Sequence, residues 1–228
     1  MQYDLHLHSC LSPCANDDMT PATIAGLAKL AGADLIAVTD HNSALNLPAA
    51  AEACAAYGLA LLPGIEVNTA EEIHLLCYFR TVADALAFGE MLYAALPAFP
   101  YDADIWGKQL VMDADDNVTA AVEKLLTGAV SMDIYAVKAA CEARGGIAVP
   151  AHVEKDSTSV LSVLGFLPDD LDFAALEARH PEKLPPLIAR GLLPKGREIL
   201  TSSDAHCIED IACCLHTLQK GSILHSLL

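Results

Sequence analysis

The chain has 228 residues, 54% apolar but only 5% aromatic, with 13 basic against 30 acidic side chains and a formal charge of −17. That length fits one domain that buries its core without disulfides, and the aliphatic, alanine-rich composition suits helices on a parallel sheet better than a β-sandwich. The charge argues against duplex nucleic acid and anionic membranes, no apolar run approaches the ~20 residues that span a bilayer, and the opening MQYDLHLH is unlike a signal peptide, so a soluble cytoplasmic protein acting on a small substrate is expected.

The first predicted element is the strand YDLHLH. Alternation would put Tyr3, Leu5 and Leu7 on one face and Asp4, His6 and His8 on the other. A helix follows, with Thr20 as N-cap, Pro21 at its first position and Gly32 near its end. Further strands are expected at 34–40, 59–67, 73–79, 146–152, 173–179 and 198–204. Helical patterns lie near 47–57, 82–95, 132–144 and 182–190. The strand–helix rhythm argues for a parallel α/β sheet, open or closed. It is broken once, where GIEVNTAEEIHLLCYF places two strands about a polar turn and so reads as a hairpin. From Pro97 the chain turns acidic and irregular to about Asn117, and an insertion of about 97–130 is expected over one end of a single domain spanning 1–228.

Eight cysteines without an export signal read as reduced thiols. Cys54, Cys77, Cys141, Cys213 and Cys214 lie in apolar runs and are expected in the core.

The polar residues collect at the strand ends. His6 and His8 close the first strand, Asp40 and His41 follow the second in TDHN, and Glu66 ends the third. His74 lies in the fourth strand, His152 follows the fifth in PAH, and Asp204 and His206 follow the last in SDAH. In parallel α/β barrels such stations share one end and build one site. His6 and His8 lie about 6.5 to 7 Å apart along a strand face, close enough to converge on one ion. Imidazole and carboxylate donors suit Zn, Mn or Fe, and Glu66 is the candidate to bridge two cations. Asp4, Asp40 and Asn42 read as groups that orient imidazoles through the other ring nitrogen. Arg179 and Lys155 are candidates for substrate phosphate, Lys108 a weaker one, and His180, His216 and His225 read as surface or helix-end residues.

The motifs DLHLHS, TDHN, GIE, PAH and SDAH, in this order between residues 4 and 206, resemble those of the polymerase-and-histidinol-phosphatase (PHP) family. The resemblance implies a distorted (β/α)7 barrel with two or three divalent metal ions at the carboxyl ends of its strands. It also implies phosphoester hydrolysis. By position, His6, His8, Glu66 and Asp204 would hold one metal, Glu66, His74 and His152 a second, and His41 and His206 a third. Glu66, Asp204 and His206 would be catalytic together with a metal-bridged hydroxide, and the leaving group could take its proton from His206, His41 or a metal-bound water. The sequence departs from the family after the HxH pair, where an Asp or His ligand is replaced by Pro13 or Cys14. Cys14 could supply a thiolate, which would favour Zn over Mn there. Otherwise Cys14 packs, Asp17 or Asp18 reaches in, or only two metals bind.

The expected function is a metal-dependent phosphoesterase acting on a small phosphorylated metabolite or a short nucleotide. The alternatives are an amidohydrolase-like hydrolase, disfavoured because no Lys occupies a motif position at a strand end, and a non-catalytic scaffold, disfavoured because nearly all ligands are present.

Overall fold

The computed structural model describes residues 1–98, 101–211, 213 and 215–228. In chain order its elements are β1 (Gln2–Leu7), α1 (Pro21–Ala31), β2 (Leu35–Val38), α2 (Leu47–Tyr57), β3 (Ala60–Leu61), β4 (Gly64–Asn68), β5 (His74–Tyr78) and α3 (Val82–Ala95). Then come α4 (Ala103–Trp106), β6 (Leu110–Met112), β7 (Val118–Ala121), α5 (Ile134–Glu142), β8 (Ile147–Pro150) and α6 (Val160–Leu164). The last are β9 (Ala175–Glu177), α7 (Leu184–Ala189), β10 (Glu198–Leu200) and β11 (His216–Thr217).

Local sequence explains the helix ends. The Thr20 side chain accepts the Thr23 N–H, Pro21 opens α1, and Gly32 closes it at φ +97°, where a side chain would be strained. Thr81 caps α3 and Asp133 caps α5 in the same way.

The fold is α/β, but among the described residues its hydrogen-bonded ladders form four sheets and do not close into one continuous barrel. The sheets run β11-β1-β2-β3, β10-β9, β4-β5-β8 and β6-β7. Isolated parallel bridges join Leu7 to Ala205 and His41 to Glu66, and the Val153 N–H reaches the Glu177 carbonyl at 2.9 Å. β4 and β5 form the expected antiparallel hairpin. The predicted strand at 59–67 is two strands, because Pro63 has no N–H to continue the ladder: β3 pairs with β2, and β4 with β5. The strands expected at 34–40, 173–179 and 198–204 are shorter than their apolar runs, so Asp40, His41, Arg179 and Asp204 lie on the loops that follow.

Strict alternation along β1 does not hold. A register irregularity falls between Asp4 and Leu7 against β2. Tyr3 and Leu5 pack with Leu35, Ala37, Leu76, Tyr78 and Val149, whereas Leu7 packs with Ile36, Val38 and the helices. Such bulges re-aim side chains next to functional sites.

Cys54, Cys77 and Cys141 are buried as expected, but Cys213 is exposed, on a turn. Cys214 lies outside the described residues. The acidic insertion is not wholly irregular: it carries α4 and the β6–β7 hairpin. It docks on the loops after β1 and β2, through Leu110 N–H to the Cys10 carbonyl (2.9 Å) and Met112 N–H to Asn46 Oδ1 (2.9 Å). Among the described residues, no helix is long and apolar enough to cross a membrane.

Candidate metal centre

Glu66, in the middle of β4 and 1% exposed, is the hub of the strand ends. Its Oε1 lies 2.9 Å from His74 Nδ1, 3.2 Å from His152 Nε2 and 3.3 Å from His6 Nε2. Its Oε2 lies 3.2 Å from both His8 Nε2 and His41 Nδ1. Asp204 closes the other side, with Oδ1 at 3.3 Å from His6 Nε2 and 3.5 Å from His8 Nε2. The His206 ring stacks on His8 with centroids 4.2 Å apart, and its Nδ1 donates to the Asp204 carbonyl at 2.8 Å. His152 (φ +30°) and Asp204 (φ +54°) both hold left-handed backbone, a cost that persists where the surrounding structure dictates it.

Around this hub lie residues that the sequence did not reveal. Glu177, at the end of β9, accepts from His6 Nδ1 at 3.0 Å and from the His152 backbone N–H at 3.0 Å. Ser12 accepts from His8 Nδ1 (3.0 Å) and the His41 N–H (3.1 Å), and its hydroxyl donates to Asp40 Oδ1 at 2.7 Å. Asp40 therefore reaches His8 through Ser12, and Ser9 occupies its other oxygen at 2.6 Å. Asp4 accepts the Ser203 N–H at 3.0 Å and so braces β1 against the segment leading to Asp204, a backbone role in place of the expected imidazole contact. Asn42 likewise holds backbone: its amide donates to the Leu126 (2.7 Å) and Gly128 (2.9 Å) carbonyls and accepts from Asn68 N–H at 3.1 Å.

The charges are mutually dependent. Burial pushes the Glu66 carboxyl up, but His74, His6 and His41 overcome this and hold it well below its ordinary range. Burial opposes charge on His6, yet Glu177, Glu66 and Asp204 raise it well above the usual imidazole value. His8 is raised to about 9 by Asp204 and Glu66 against the same burial. His41 and His206 go the other way, His206 to about 4, because burial and the neighbouring His8 disfavour a further positive charge. Burial and the nearby Glu66 push the Cys14 thiol up to about 12, although the residue as a whole is exposed.

Three groups of donors stand close enough to share an ion: His6, His8 and Glu66; His41, Glu66 and His74; and His8, Cys14, His41 and His206. His6 Nε2 and His8 Nε2 face each other at 3.2 Å. That matches the spacing of about 3.3 Å between two nitrogens of a tetrahedral zinc site. The buried Nδ1 atoms of His41 and His152 have no hydrogen-bond partner among the described residues. Converging imidazole nitrogens and two buried carboxylates fit divalent cations.

A cleft of about 530 Å³ opens beside His152, lined by Glu154, Lys155, Asp156, Arg179, His180 and Lys183. Lys155 Nζ lies 3.4 Å from Asp204 Oδ2. His180 is exposed as expected, yet it borders this cleft. His225 is exposed, whereas His216 is half-buried on β11, tilted against Tyr3. Lys108 is paired with Asp17 on the insertion side.

A family model for the PHP domain matches residues 4–140. The chain belongs to the PHP domain family. Over 74 residues it is 38% identical to the 5'-3' exoribonuclease Rnm of Salmonella typhimurium, a stretch that is 32% of this chain and 24% of that protein. Among solved structures, an amidohydrolase from Chromobacterium violaceum, determined with sulfate and no metal, matches 100% of this chain and 96% of its own (TM-score 0.66, 20% identity). A protein provisionally named a metal-dependent phosphoesterase, from Bifidobacterium adolescentis, matches 90% of this chain and 87% of its own (TM-score 0.60, 20% identity). The lesion-specific endonuclease Q of Pyrococcus furiosus matches 91% of this PHP chain and 48% of its own (TM-score 0.61, 19% identity). Endonuclease Q has also been solved with a 27-mer duplex whose abasic lesion lies at the active site.

These relatives correct one expectation. By itself the charge of −17 argues against duplex nucleic acid and for a small substrate. A protein of this fold holds a duplex, and the curated relative is an exoribonuclease, so both parts of that inference are withdrawn. The physical reason is scale: net charge describes the whole surface, whereas a phosphate meets only the local field of the cleft and any cations within it.

Proposed function

We propose that this PHP protein is a metal-dependent phosphoesterase that hydrolyses phosphodiester bonds of a nucleic-acid strand. The observation that carries this is the gathering of five imidazoles on the two oxygens of Glu66, with Asp204 opposite. His6, His8, Glu66 and Asp204 would hold one cation and Glu66, His74 and His152 a second, with His41 and His206 at a further position. Bound zinc, manganese or iron ions supply the Lewis acidity that activates water and offsets phosphate charge. Glu177 and Ser12 fix the tautomers and orientation of His6 and His8, which keeps both Nε2 atoms aimed inward. Lys155 and Arg179, which line the adjoining cleft, would take the remaining phosphate oxygens. Glu66, Asp204 and His206 would border the reacting phosphate.

We read residues 1–228 as one PHP unit and the succession β1, β2, β4, β5, β8, β9, β10 as its distorted seven-stranded barrel, supported by the single bonds that stitch the seams. An amidohydrolase reading gains nothing from the residues, since the shared central group is Glu66 and not a lysine.

The test is cleavage of end-labelled single-stranded RNA and DNA and of duplex by protein loaded with manganese or zinc, followed by product length. Chelator should abolish cleavage, and Glu66→Ala should lower kcat/KM by roughly a thousandfold or more. Protein with full metal content that cleaves no strand would refute the proposal.

A further inference from the structure

We infer that Cys14 is a metal-binding thiolate that makes one cation position of this centre selective for zinc. The inference rests on the metal-centre reading above and deepens it. The Sγ of Cys14 and one ring nitrogen each of His8, His41 and His206 all lie within 4.8 Å of one another. His8 and His41 also belong to the groups around Glu66, so the donors that belong to this position alone are Cys14 and His206.

The backbone ties those two residues together. Asn16 N–H donates to the His206 carbonyl at 2.9 Å, and Ala15 N–H to the Ser12 carbonyl at 2.9 Å, so the turn that presents Cys14 is fastened to the segment that presents His206. On its outer side the insertion presses against the same turn. A Cβ on Gly107 would stand 2.1 Å from the Pro13 carbonyl oxygen, closer than any side chain allows. The residue before Cys14 is thus fixed against the insertion, and the residue two after it against the segment that presents His206.

The competing acids are elsewhere. Asp17 is half-exposed and paired with Lys108, and neither Asp17 nor Asp18 joins a donor group among the described residues. Other thiols have different partners: Cys10 Sγ points to the Leu110 carbonyl at 3.8 Å, and Cys207 Sγ to Asp210 at 3.3 Å. One thiolate among imidazoles prefers zinc to the harder manganese or magnesium, whereas a position of carboxylate and imidazole alone discriminates less. The centre therefore has inequivalent positions, one sulfur-bearing and the others not.

Cobalt serves as the probe. Titrated into metal-stripped protein, it should give a sulfur-to-cobalt charge-transfer band in the near ultraviolet. The band should vanish in Cys14→Ser, and zinc content after equilibration should fall by one ion per chain. Cys14→Asp should restore the lost ion without the band and shift the preference towards manganese, which separates loss of a donor from loss of fold. A wild-type protein without the band, or a band undiminished in Cys14→Ser, overturns the inference. Both readouts are independent of strand cleavage, so failure of the nuclease reading would leave this result standing, and the reverse.

Discussion

Glu177 bonds His6 Nδ1 and the His152 N–H at once, so one carboxylate sets two of the imidazoles that surround Glu66. Its charge is part of what holds the His6 pKa high, and thus of the electron density on the nitrogen facing the centre. Glu177→Gln keeps the shape but loses the charge, and a flipped amide would present a donor to a donor. We expect metal affinity of the stripped protein to fall roughly 10- to 100-fold, read by calorimetric titration, with little change in thermal stability. Unchanged affinity would mean that His6 needs no such partner. In the sequence, His6, His8, His41, Glu66, His152, Asp204 and His206 stand out because each sits in a short motif near a strand end, whereas His74 is marked only by its place in the fourth predicted strand. Glu177 does not stand out, since FAALEARH reads equally well as a strand with an outward acid. Only the fold reveals that its neighbour is an imidazole 171 residues away. The same holds for Ser12, whose hydroxyl links Asp40 to His8.

Helices were more legible than strands because their ends are written locally. Thr20-Pro21 and Gly32 bound α1 to the residue, and α2 and α3 fall where their patterns place them. Strand ends depend on pairing partners far along the chain, so the apolar runs overshot β2, β9 and β10. The β6–β7 hairpin was missed for another reason: every residue of β7 is exposed, which leaves no alternation to detect. What this insertion does to the site is testable at Gly107. Its φ of +92° disfavours any side chain, and a Cβ would strike the Pro13 carbonyl oxygen. Gly107→Ala should cost about 2 kcal/mol or more, a fall in Tm of roughly 4 to 8 °C for a chain of this size. Because Cys14 follows Pro13, the same variant should weaken the cobalt–sulfur band. A variant with wild-type Tm and spectrum would show that the insertion does not hold that turn.

At the scale of the molecule, a chain with 30 acidic and 13 basic side chains carries a centre that is proposed to take an anionic strand. The conflict is local only if the cations are local, and Lys155, Arg179, Lys183 and His180 do share one cleft beside His152. Few cations imply few neutralised phosphates. For a single strand each contact contributes about −0.7 to the slope of log affinity against log salt, so two or three contacts predict a slope of roughly −1.5 to −2. Arg179→Ala should make that slope shallower by about 0.7 and weaken binding of all sequences alike, because a phosphate contact carries no base information. Lys29, whose Nζ is tied to the Gly58 carbonyl at 3.1 Å on α1, is the control and should leave the slope unchanged when replaced by Ala. Binding is best measured with the chelated protein and again with metal restored, since bound cations should raise affinity without adding lysine or arginine contacts. A slope several times steeper, or one indifferent to Arg179→Ala, would place the strand on another face and leave the cleft beside His152 without a role in holding it.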